Sequence, residues 1–172
     1  RIHPEDLARY VQAFNHAQLH AVFGHTGYLI NIAAPDSENR AKSIKSLVQE
    51  IRFAEALGLP FLVLHPGAHL GAGEEEGVKN AAEGLDEVLA ATKDSPVRVA
   101  LENTAGQGTC LGHDLEHLIS IYGRTRLRER LAICLDTAHF FEAGYDIRQL
   151  SVWNDAMDEI RSGVGLEQIV AF

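Results

Sequence analysis

The sequence predicts an α/β fold: a partial TIM (β/α)8 barrel with parallel strands, about half of the barrel present. Three observations predict it. Short apolar runs alternate with stripes of helical spacing, at a strand-to-strand period of roughly 35–40 residues. The runs are continuously apolar rather than alternating, which suits strands covered on both faces. Each of the four complete runs carries a His or an acid at or near its C-terminal end.

The elements follow in order. Pro4, Glu5 and Asp6 open a helix on which Leu7, Tyr10, Val11 and Phe14 recur. AVFGHTGYLI (21–30) reads as the first strand. Ile44, Leu47, Val48 and Ile51 stripe a helix from about Ser37 to Leu57, with Gly58 as its stop. PFLVLH (60–65) is the second strand. Val78, Ala81, Ala82, Leu85, Val88 and Leu89 mark the next helix, where Gly84 is a local weakness. VRVALEN (97–103) is the third strand. Asp114 caps a helix striped by Leu115, Leu118, Ile119 and Tyr122. LAICLDT (131–137) is the fourth strand, Trp153, Ala156, Met157 and Ile160 mark the last helix, and QIVAF (168–172) begins a fifth strand.

A doubly wound sheet has the same rhythm, but no Gly-rich phosphate loop follows any strand. Metal-type ligands at successive strand ends favour a barrel, whose active site lies at that mouth. A complete barrel takes about 250 residues. Residues 1–172 are therefore expected to be a single domain, the excised middle section of a barrel lacking the first strands and the C-terminal strands. Expressed alone, such a section would expose two apolar sheet edges and be prone to aggregation or swapping.

The formal charge of −9 argues against coating nucleic acid by net charge, though bound cations can reverse the field locally. No apolar run is long enough to span a membrane, and the N-terminal residues do not form a signal peptide. Two cysteines are too few for a disulfide framework, so a cytoplasmic location is expected. Cys134, inside an apolar run, reads as a buried inert thiol.

The candidate site is the set of strand ends. His25, His65, Glu102 and Asp136 end the four strands, and His139 follows in the loop. An acid ending an apolar strand is costly to bury unless paired or metal-bound. These are ligand types that zinc accepts. The alternative is a set of polar groups satisfied by loop backbone. His69 reads as a loop residue, His113 and His117 as surface groups, and Asn103, Thr104 and Gln107 as loop supports. The run Arg124, Arg126, Arg128 and Arg130 precedes a strand and reads as a solvated helix end on the opposite face.

The stretches HTGYLINIAAP, LHPGAH, LENTAGQG and LDTAHFFEAGYD, in this order, resemble the signature segments of the endonuclease IV family. Ala138 departs from a family position that often holds Cys and is not a ligand. The resemblance implies a (β/α)8 barrel with three clustered zinc ions that cuts DNA on the 5′ side of abasic sites, in base excision repair. By motif, His25 and His65 would bind one zinc, and Glu102 would bridge it to a second and serve as the catalytic carboxylate. Asp136 would bind the second ion and His139 the third, with Tyr28 beside the flipped-out sugar and the scissile phosphate. Two further His, one Asp and one Glu of the family's ligand set have no match in these residues, so the isolated section is expected to be inactive. The partner would be DNA containing abasic sites, with no membrane, and the complete protein a monomer. A metal-dependent sugar isomerase or epimerase on the same barrel is the alternative enzyme, and a barrel without catalysis the alternative binding protein.

Overall fold

The computed structural model describes residues 3–172; Arg1 and Ile2 lie outside the described residues. Among the described residues, five parallel strands pair in chain order: β1 (Gly24–His25), β2 (Phe61–Leu64), β3 (Arg98–Glu102), β4 (Leu131–Cys134) and β5 (Ile169–Ala171). Each crossover is helical. The helices are α1 (Pro4–Ala17), α2 (Ser37–Ala56), α3 (Glu74–Ala91), α4 (Leu115–Arg124), α5 (Thr137–Glu142) and α6 (Leu150–Gly163). The arrangement is half of a TIM-type barrel.

Strand parity sorts the side chains into two layers. Leu62, Leu64, Val99, Leu101, Leu131 and Ile133 pack against the helices, where Leu47, Leu85 and Leu118 complete the main core. Phe61, Val63, Ala100, Ala132 and Cys134 form a smaller cluster on the other face. His25 pairs with Val63, and His65, Glu102 and Asp136 share the parity of that inner face. The alternation that builds the sheet thus delivers these groups to one side.

Several expectations are corrected. The first strand is far shorter than residues 21–30. Thr26 N–H still donates to the Val63 carbonyl at 2.9 Å, but Ile30 N–H then closes a turn on Gly27. Tyr28 and Leu29 project outward from that turn, so their apolar character does not mark a strand. The fourth strand stops at Cys134, because Asp136 starts α5 by accepting the His139 N–H at 2.9 Å. His139 therefore lies on a helix and not in a loop. Helix α1 is present, but none of its stripe is buried.

Gly84 has a packing role that outweighs its propensity. A Cβ there would approach Ile32 Cβ to 3.3 Å, so the glycine lets α3 come close to the turn before α2. The arginine run is pinned rather than merely solvated. Arg124 grips Glu75 through two bonds, Arg126 N and Nε donate to Asp86, and Arg130 Nη1 donates to the Thr92 carbonyl at 3.0 Å. No helix among the described residues is long and apolar enough to cross a membrane.

Candidate metal centre

Glu102 closes β3 with its carboxylate on the inner face, and the residue is only 6% exposed. Oε2 lies 2.9 Å from His25 Nε2 and 2.7 Å from His65 Nε2. Oε1 faces His139, whose Nδ1 is 4.0 Å away, and Asp136 Oδ2 lies 3.8 Å from the same nitrogen. Ligand atoms of His25, His65 and Glu102 all lie within 4.8 Å of one another, and so do those of Glu102, Asp136 and His139. The four strand-end groups and His139 on α5 are thus brought together, in two sets that share Glu102.

The electrostatics fit a cation. Burial works to raise the Glu102 carboxyl, but hydrogen bonds from His65 and His25 outweigh it and hold the group below the usual carboxylate range. His25 Nδ1 lies 2.9 Å from the Thr26 carbonyl, which can only accept, so Nδ1 carries the proton. With Nδ1 holding the only ring proton, Nε2 would present a lone pair to Glu102 Oε2 in place of its hydrogen bond to that oxygen. Two acceptors at that distance repel unless a proton or a metal ion lies between them. His139 repeats the pattern: Nδ1 lies 2.9 Å from the Asn103 carbonyl, which leaves the lone pair on Nε2. Imidazole nitrogens and carboxylate oxygens in these numbers suit zinc.

Just below the site, the Cys134 thiol is pushed up to about 12 by burial and by the charges of Glu102 and Asp136. It stays protonated and inert, as its apolar surroundings in the sequence suggested. Tyr28 is 91% exposed and lines, with His65, Gly67, Thr104 and His139, a cavity of about 180 Å³.

His69 accepts the Gly73 N–H and belongs to neither ligand set. His117 is not a surface group. It is buried, and its Nδ1 accepts the Gly112 N–H at 3.2 Å, supporting the loop after β3. Nothing local in the sequence signals this, because the partner lies in an irregular loop. Thr104 acts as the expected loop support, its hydroxyl donating to the Leu111 carbonyl.

The family described as xylose isomerase-like TIM barrel matches residues 1–172. The chain belongs to that family. Within the xylose isomerase-like barrels its similarity is to endonuclease IV. A relative named "Probable endonuclease 4" from Chloroflexus aggregans is 39% identical over 171 residues, covering 99% of this chain and 60% of the relative. Another of that name, from Nitratidesulfovibrio vulgaris, is 46% identical over 151 residues, 88% of this chain and 54% of the relative. The crystal structure of endonuclease IV from Thermus thermophilus matches with a TM-score of 0.78 at 27% identity, over 98% of this chain and 58% of that one. A D-tagatose 3-epimerase-like protein matches with a TM-score of 0.72 at 20% identity, over 87% of this chain and 57% of that one, which speaks for the fold alone. The chain spans about 60% of the length of the first of these curated relatives.

Proposed function

We propose that the protein is a zinc-dependent DNA-repair endonuclease that hydrolyses the phosphodiester 5′ to abasic sites. The observation that carries this reading is the division of the Glu102 carboxylate, one oxygen turned to His25 and His65 and the other toward Asp136 and His139. His25, His65 and Glu102 would hold one ion. Glu102 and Asp136 would share a second, and His139 would offer Nε2 to a third. Zinc bound there would supply Lewis acidity, activating water near neutral pH and neutralising the phosphate.

The chain's own groups prepare that chemistry. The Thr26 and Asn103 carbonyls fix the tautomers of His25 and His139. The cavity beside His65 and His139 would receive the extruded sugar, and Tyr28 at its edge can donate from its phenol to sugar or phosphate. Extrusion costs least where no base is paired. With a net charge of −9, attraction of DNA would come from the bound ions. A cytoplasmic location and a monomeric state belong to the same reading.

The competing reading is a metal-dependent sugar epimerase on the same barrel. The additional histidine beside the shared carboxylate, His139, favours the nuclease. An abasic-site duplex assayed against ketose–aldose or epimer interconversion separates the two: nicking supports the proposal, and sugar turnover without nicking overturns it.

A further inference from the structure

Two asparagines outside the ligand sets repeat one hydrogen-bond pattern. Asn103 Nδ2 donates to the Asp136 carbonyl at 3.0 Å, and Asn103 Oδ1 accepts the Asp136 N–H at 2.7 Å. Asn31 Nδ2 donates to the Ala68 carbonyl at 3.0 Å, and Asn31 Oδ1 accepts the Ala68 N–H at 2.9 Å. In both cases a carboxamide pairs with the donor and the acceptor of one residue's backbone, as a neighbouring strand would.

Both pairs join consecutive strand-end loops, at different distances from the strands. Asn103 follows the last residue of β3, and Asp136 lies two residues beyond β4. Asn31 lies in the turn after β1, and Ala68 in the loop that begins at His65. Each side chain stitches the loop after one strand to the loop after the next, where the backbone ladder has run out. Asn103 also receives His139 Nδ1–H on its own carbonyl, so one buried residue touches two of the ligand-bearing positions.

We propose that Asn103 and Asn31 are positioning residues with separate assignments: the Asn103 carboxamide sets Asp136, and through the Asp136 cap the start of the helix carrying His139, and Asn31 sets the loop carrying His65. The inference deepens the metal-centre reading and rests on it for its functional meaning. An amide is required by chemistry. Aspartate would set a second acceptor against the Asp136 carbonyl, and an apolar residue would leave the Asp136 N–H unpaired at one site, where the carbonyl still accepts from Phe140 N–H, and both Ala68 backbone groups at the other. Glutamine would reach one methylene too far.

Asn103→Ala and Asn31→Ala test this through two readouts. Without metal, hydrogen exchange reports the Asp136, His139 and Ala68 amides. Asn103→Ala is expected to expose the Asp136 amide by about tenfold or more and, through the Asp136 cap, the His139 amide, leaving the Ala68 amide unchanged. Asn31→Ala is expected to do the reverse. Zinc titration should then show binding weakened by about 10–100-fold in each variant. Equal changes at the Asp136 and Ala68 amides from either variant, or none, would overturn the proposal. If the amides respond as expected but the parent protein binds no zinc, the positioning stands and the metal reading falls instead. Should Asn103→Ala not fold, Asn103→Leu keeps the bulk without the amide, and exchange of the Asp136 amide is read from it.

Discussion

His65 Nε2 and His25 Nε2 converge on the same oxygen of Glu102, and His65 approaches to 2.7 Å. The other oxygen of that carboxylate is left for the far side of the site. Such sharing makes Glu102 the group whose loss should disturb both ligand sets at once.

Glu102→Gln keeps the shape and removes the charge. Zinc affinity is expected to fall by more than about 100-fold, and cleavage of abasic-site duplex to fall with it, while circular dichroism stays that of the parent. Metal analysis and a nicking assay on the same sample check this. Full zinc content together with a full cleavage rate would sink the assignment.

Zinc should also stabilise the fold. At 100 times its dissociation constant, a ligand bound only by the native state adds about 2.7 kcal/mol. The melting temperature is therefore expected to rise with zinc, return with a chelator, and lose this response in His25→Ala. The 172-residue polypeptide alone is expected to hold fewer than three ions, and three tightly held ions per chain in metal analysis would contradict that.

Cys134 gives a pH dependence. Its folded-state value of about 12 lies above the ordinary thiol value of 9.0, so between these the unfolded chain has lost a proton that the native one keeps. The contribution is complete below pH 9 and disappears as pH rises toward 12. Urea midpoints should fall more steeply above about pH 9 in the parent than in Cys134→Ala. At about pH 8 a thiol reagent should label the half-buried Cys110 and spare Cys134 in the native protein.

Gly67 leaves no room for a side chain. Its φ is +105°, and a Cβ there would collide with Asn31 Oδ1. Gly67→Ala is expected to cost about 1–3 kcal/mol, read by denaturant unfolding, and to weaken zinc binding by displacing the loop after His65. Leu85→Ala, in the fully buried core of α3, should cost about 2–5 kcal/mol without touching zinc affinity. Comparing the two separates loop geometry from global stability.

The sequence was most legible where both faces of a strand are covered. Strands β2, β3 and β4 lie within a residue or so of the apolar runs, apart from the early end of β4, and Glu102 stands where its run ends. Legibility failed where a tertiary partner decides. Residues 27–30 look like strand because Leu29 and Ile30 are apolar, yet one is exposed and the other is in the core of a turn. His139 looked like a loop residue because the cap on α5 is made by the very acid read as a strand end. The Asn103 carboxamide bonds a residue 33 positions away, which no local period can announce.

Asp136 divides its carboxylate as well: Oδ1 starts α5, and Oδ2 turns toward the cluster of ligands. A helix of six residues has little intrinsic tendency to persist. The same side chain that would take an ion through Oδ2 is thus the one that caps residues 137–142, so on the proposed reading the winding of that single short coil would register whether the neighbouring cluster is filled.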